Sequence, residues 1–381
     1  MPKTKAVPAT TPKKSASERI LAFDILRGYF LCVIIVNHLG FTPNGLSLLT
    51  GRGFLYASTA EGFFAVSGII LGIIRGRKLI AKPFKHVASL LWKRSLQLYI
   101  TSIVLTFLFT AIGQFFVDDP GLKSGIFTDW SQWWKYVTDV LLLRLTYGWA
   151  DFLRYYAIFL FFAPFALWLL RKGYWYMLAG ISLIVWSIYP HLPLEQGIFQ
   201  PVSWQLIFFL GLIVGYYWEP MLAKWRQLPK AWKTRIKFSV VGAFLITLAA
   251  SFVLVFGSRL NNELGAHIVV FHNIIEQHFN KDRMNLERIA IGALWFWGLF
   301  IVVRRYEKVI LKYAGWLLYS FGSNSLYVYT MHAFVIFFMH LFLVPQPGYD
   351  STFLNFVASA FAILITWFAL KKRFLINIIP R

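Results

Sequence analysis

Arg19 to Pro43 reads RILAFDILRGYFLCVIIVNHLGFTP, and its reading decides the fold class. The stretch is long and apolar enough to cross a hydrocarbon core of about 30 Å as one helix, yet it carries Asp24, Arg27 and His38. Ionisable groups at bilayer depth are costly, and their default reading is a functional site. On a helix turning about 100° per residue, Arg27 and His38 share a face about 16 Å apart along the axis, with Asp24 within about 60° of both. One polar stripe therefore runs along this helix, an Asp/Arg pair near its start and a histidine near its end.

The 381-residue chain is 58% hydrophobic and 14% charged, with a mean hydropathy of +0.60. Those proportions exclude a soluble domain of this length and define an all-α polytopic membrane protein. A formal charge of +22 fits nucleic acid only where basic residues gather on one exposed face. Here they fall in short gaps between apolar runs, so no nucleic-acid partner is expected. The single cysteine, Cys32, excludes an intramolecular disulfide and a thiolate metal cluster. HIVVFHNIIEQH, with His267, His272, Glu276 and His278, lies between apolar runs and reads as an interfacial helix, so no metal is expected.

Runs of about 17 to 25 apolar residues, the length of a membrane span, occur near 20–41, 54–74, 95–117, 152–170, 174–189, 202–218, 238–256, 288–303, 316–343 and 352–370. They predict about ten transmembrane helices in a lipid bilayer. Lysines and arginines gather in alternate gaps: seven in 75–94, six in 219–237, and four each in 304–312 and 371–381, besides the lysine-rich start. By the positive-inside rule those segments and both termini are cytoplasmic. Residues 1–18 read as a disordered basic tail, 19–373 as the integral membrane domain and 374–381 as a second cytoplasmic tail. The first helix lacks a small-residue cleavage site and reads as an uncleaved anchor. The outer segments 118–151 and 257–287 have room for interfacial helices. Trp130, Trp133, Trp134 and Trp149 of the first form either an aromatic belt or a platform for sugar rings.

The second helix, YASTAEGFFAVSGIILGII from Tyr56 to Ile74, carries Glu61 near its outer end, with Ser58, Ala65, Gly68 and Gly72 spaced for close helix approach. With the first helix as neighbour, Glu61 comes to the depth of His38, where a carboxylate can fix the tautomer of a general base. The alternative is a buried acid satisfied by hydroxyls and backbone. Asp24 and Arg27 are likewise part of a site or a mutually neutralising pair. On the basic side, Arg75, Arg77 and Lys78 precede a third helix opening with Arg94 and Gln97. That cluster suits a phosphorylated ligand, and topology alone also accounts for it. On the outer side, YGWADFLRYYAIF offers Asp151, Arg154 and Tyr156, and PVSWQLIFFLG offers Trp204 and Gln205. FGSNSLYVYTMHAF adds Asn324, Tyr329 and His332.

FDILRG followed by VNH, an arginine, ten residues and a histidine, resembles the acyltransferase-3 superfamily of integral membrane O-acyltransferases. STAEGFFAVSGIILG, RSLQLY, LLLRLTYGWADFLRYYAIFLFFAPFALWLLRKG and SWQLIFFLGLIVG are similar to its OpgC branch, known for succinylating periplasmic glucans. The likeness runs from about Arg19 to Gly215. Arg154 stands where the OpgC pattern usually has a proline, and the ninth-helix motif resembles the wider superfamily more than OpgC. The resemblance implies a bacterial inner-membrane enzyme with His38 and Arg27 as its essential pair. It implies a cytoplasmic acyl-CoA donor, succinyl-CoA before acetyl-CoA, and as acceptor a hydroxyl of an extracytoplasmic glucan or other glycan.

Together these readings make His38 a general base oriented by Glu61, with Asp24 and Arg27 along the path of the pantetheine arm. Arg75, Arg77, Lys78, Arg94 and Gln97 are expected at the CoA phosphates, and Asp151, Arg154, Tyr156, Trp204 and Gln205 at the substrate, where Gln205 or Tyr156 also suits an oxyanion. The rival for buried Asp, Arg, His and Glu is a proton-coupled transporter or flippase of a glycan or lipid. A transporter would often carry an internal repeat, and the sequence contains none. A non-catalytic anchor for a glycan or lipid assembly would need no acyl donor.

Overall fold

The computed structural model describes residues 20–119, 121–122, 127–188, 196–343, 351–376 and 379, and every regular element among them is helical. The expected tail at 1–18 and part of that at 374–381 lie outside the described residues. α1 (Leu21–Leu39) is followed by a short α2 (Ser47–Thr50), then α3 (Thr59–Leu71), which runs on through a π-helical stretch, Gly72–Arg77. α4 (Phe84–Gln114), α5 (Trp133–Leu141), α6 (Asp151–Arg171), α7 (Trp175–Ile188), α8 (Gln196–Tyr216) and α9 (Trp218–Gln227) come next. α10 (Lys230–Gly257), α11 (Glu263–Glu276), α12 (Leu286–Ser323), α13 (Ser325–Phe342) and α14 (Thr352–Lys371) complete the chain.

Each of the ten apolar runs lies, among the described residues, mainly on helix. Among the described residues, eight segments are long and apolar enough to span a membrane alone, and Pro201–Tyr216 with Trp218–Gln227, meeting at a 62° bend, makes a ninth. α7, with 14 residues, reaches only about 21 Å, so the expected ten become eight or nine full spans. In the spanning stretches of α1, α3, α6 and α13, 67% of residues are buried, against 17% in α10, 22% in α12 and 28% in α14. The first four form the core and the last three a wall whose exposed Ile246, Phe256 and Phe361 suit hydrocarbon. Hydroxyls within spans bond back one turn, Thr110 to the Thr106 carbonyl at 2.7 Å and Thr366 to that of Ala362 at 2.8 Å, which places each hydroxyl proton within its own helix.

The small-residue face of α3 meets α8, not α1. A methyl on Gly68 would overlap the Phe208 carbonyl, and one on Gly215 that of Ile69, so the two backbones touch through reciprocal glycines. α1 makes its own close crossing with α12, where Gly28 lies against Leu318 and Gly322 against the Asp24 carbonyl. α12 is one helix of 38 residues and runs through 304–312, where the sequence predicts an inner loop. It is bent: Phe300 stacks on Phe23 at 4.9 Å while Gly322 touches Asp24, although residues 300 and 322 would lie about 33 Å apart on a straight helix. Asn324 then separates α12 from α13, inside the expected single helix 316–343.

Candidate active site

His38, at the end of α1, and His332, midway along α13, are 294 residues apart in sequence, yet Nδ1 of His38 lies 3.0 Å from Nε2 of His332. Nδ1 of His332 faces the carbonyl oxygen of Tyr329 one turn earlier. A carbonyl only accepts, so in the neutral ring that Nδ1 carries the proton and Nε2 is an acceptor. His38 must therefore donate from Nδ1, which leaves its Nε2 with a free lone pair, the form a general base requires. His332 is 0% exposed, whereas His38 is partly accessible. The base thus has an open side, and its orienting partner has none.

Beside the pair, the Tyr329 hydroxyl donates to Oδ1 of Asp151 at 3.0 Å and accepts from the Phe152 N–H at 3.3 Å. Asp151 opens α6, and its charge acts on His332. α1, α6 and α13 therefore converge on one polar cluster inside the apolar core.

Toward the basic end, a cavity of about 190 Å³ is lined by Arg27, Arg94, Tyr156, Ser323, Ser325 and Tyr329, with Phe63, Phe64, Phe152, Leu153 and Leu326 as its apolar wall. Arg27 donates to the hydroxyl of Ser325 at the start of α13. Arg94 lies within electrostatic reach of Arg27, Arg75 and Tyr156. Two guanidinium groups beside an apolar, mostly aromatic wall suit an anionic head with an apolar arm. Tyr329 borders both this cavity and the histidine pair.

Of the residues singled out in the sequence, Arg27, Arg94 and Tyr156 meet in the cavity, Asp24 is buried one turn below Arg27, and Asp151 supports the histidine pair. Arg77 and Lys78 are exposed at the end of the π-helical stretch. Gln97 is exposed, away from the face that buries Ser95 and Leu98, so it does not join the cavity. Glu61 is not the partner of His38. Its Oε1 accepts from Nε of Arg288 at 2.5 Å and its Oε2 from the Ser58 N–H at 3.0 Å and hydroxyl at 2.5 Å. The physical reason is register: Gly62 lies against the Phe30 ring, about two turns below His38.

Three expected substrate contacts are spent on structure. Arg154 donates to the carbonyls of Leu143 and Arg144 at 3.2 and 2.9 Å and ties the 142–150 segment to α6. Gln205 exchanges two hydrogen bonds with Ser182, at 2.6 and 2.8 Å, and fastens α8 to α7. Trp204 is 2% exposed, with its ring edge-on to Phe64 and Nε1 donating to the Lys281 carbonyl at 3.2 Å. It has no free face for a sugar.

At the end of α1 remote from the basic cavity, the charges of Lys281 and Arg52 reach His38; neither was marked by the sequence, where each is one cation in a loop. Burial pulls the Arg52 guanidinium below its ordinary pKa. His272 of α11 takes the Tyr56 hydroxyl on Nδ1 at 2.7 Å and has Glu276 3.5 Å from Nε2. Burial pushes the Tyr56 phenol up, and the Glu276 charge adds to this. Arg288 also bonds the Tyr56 and Phe279 carbonyls, at 2.7 and 2.8 Å, and nothing in the sequence marked it.

No curated protein and no solved structure matches the chain. The family model described as OpgC protein matches residues 19–373, and the protein therefore belongs to the OpgC family.

Proposed function

We propose that the protein is a membrane O-acyltransferase that moves an acyl group, succinyl before acetyl, from cytoplasmic acyl-CoA to a hydroxyl of a glucan or other glycan across the bacterial inner membrane. Membership of the OpgC family points to a membrane acyltransferase. The observation that carries the rest is the His38–His332 hydrogen bond, beyond a cavity with two arginines at the basic end of the bundle. CoA phosphates would meet Arg27, Arg94 and Arg75, and the extended pantetheine arm would cover the about 16 Å along α1 to His38. Nε2 of His38 removes the acceptor hydroxyl proton as that oxygen bonds to the thioester carbonyl carbon. The tetrahedral intermediate collapses with cleavage of the C–S bond, and the CoA thiolate takes the proton back from His38. His332 keeps its Nδ1 proton throughout, and the charge of Asp151 offsets the transient imidazolium.

The test is transfer of label from succinyl-CoA, and separately acetyl-CoA, to a glucan mixture by protein in lipid nanodiscs, with His38→Ala and Arg27→Ala alongside. The expected result is label in glycan only when His38 is intact, and a raised KM for the donor in Arg27→Ala. Activity retained in folded His38→Ala removes that residue from the role. Folded wild-type protein that neither binds CoA nor transfers label sinks the enzyme reading and leaves transport.

A further inference from the structure

Arg52 follows Gly51 and precedes Gly53, both in the left-handed region at φ +66° and +68°, where a side chain would be strained. The turn sets its guanidinium over Gly40, at the end of α1, with Nη2 and Nη1 3.5 and 3.8 Å from where a Cβ would stand. Gly40 is two residues from His38, and the Arg52 charge reaches the His38 ring. Nη1 of Arg52 is buried and has no hydrogen-bond partner among the described residues. By contrast the buried Arg288 has both a carboxylate and two carbonyls as partners. A guanidinium half removed from water, with Nη1 unpaired among the described residues, gains from an anion, and its fork matches a carboxylate in two-point contact.

We propose that Arg52 is a specificity-determining residue that reads a carboxylate at the free end of the transferred acyl group. The inference rests on the acyltransferase reading above. The anion could arrive on the donor or on the acceptor. The donor is favoured because its thioester carbonyl must come to His38, so a carboxylate two methylenes away is always delivered to the surroundings of that ring. A charge on a glycan has no such fixed distance. Lys281 supports the same polarity, its charge also reaching His38.

The experiment compares kcat/KM for succinyl-CoA and butyryl-CoA, with an uncharged glucan as acceptor, in wild type, Arg52→Gln and Arg52→Lys, all as full chains in nanodiscs. Because the readout is the ratio of two donors on one preparation, partial misfolding lowers both and leaves the ratio intact. Arg52→Gln is expected to lower the succinyl/butyryl ratio by roughly 10- to 100-fold, the worth of one charged hydrogen bond, and Arg52→Lys to lower it less. An unchanged ratio, with both donors falling together, overturns the inference, as does a wild type that prefers butyryl-CoA. A loss that follows carboxylated or phosphorylated glucans whatever the donor also overturns it, by assigning Arg52 to the acceptor. Folded wild type that transfers from neither donor fails the acyltransferase reading itself.

Discussion

Replacing His332 with Phe tests the tautomer chain at its weakest link. The ring fills the fully buried site of a residue that is 0% exposed, but it offers no acceptor to Nδ1 of His38, 3.0 Å away. A buried donor left unsatisfied costs about 1–3 kcal/mol. His38 avoids that cost by moving its proton to Nε2, which consumes the lone pair the reaction needs. Population of the productive tautomer then falls about 5- to 150-fold, and loss of ring orientation adds to it, so kcat is expected to drop roughly 100-fold. His332 is not part of the cavity wall, so the donor KM should stay within about twofold. The assay is CoA thiol release at saturating donor and acceptor, on protein whose thermal unfolding matches wild type. His332→Gln, which can present an acceptor oxygen, should recover part of the loss. A folded His332→Phe with kcat within about threefold of wild type, or one whose defect lies in KM, refutes the chain.

Other consequences follow from the same geometry. Glu61→Gln strands the Arg288 charge, both partners of that pair being under 10% exposed, and should cost about 3–5 kcal/mol in thermal or denaturant unfolding. Glu61→Gln/Arg288→Met should recover much of that; a Glu61→Gln protein of unchanged stability and abolished turnover would return the carboxylate to the chemistry. Gly215→Leu should abolish monodisperse protein in detergent, because its side chain would enter the Ile69 backbone. Gly180→Ala, with nothing within 4 Å of the added carbon, should be tolerated.

Much of the candidate site was legible one helix at a time. Arg27 and His38 share a stripe because 11 residues make very nearly three whole turns, and the structure brings Arg27 and Arg94 to one cavity. Glu61 misled because its height against α1 was guessed: α3 does lie beside α1, but with Gly62 against Phe30, and the carboxylate meets Arg288 of α12 instead. The small-residue spacing of α3 correctly announced a close crossing and was silent about the partner, since Gly211 and Gly215 of α8 offer the same pattern as any small-residue helix. Trp204, Arg154 and Gln205 are polar groups in apolar runs, and such groups serve packing as readily as chemistry. Only their bonds to Lys281, Leu143 and Ser182 decide between the two.

By itself the sequence determined the class of the molecule, the apolar segments that become helices, their alternating basic gaps and the polar stripe of α1. These are local properties, set by hydropathy, by the helical repeat and by the cost of charge in hydrocarbon. Tertiary structure alone decided that His332 completes His38, that Arg288 takes Glu61 across 227 residues, and that Arg52 comes to the end of α1. Each of these pairings depends on which helix lies beside which and at what height. In a bilayer, where lipid is as apolar as leucine, that choice is made by close packing at a few glycines and by buried polar contacts, and neither can be read from one segment without its neighbour.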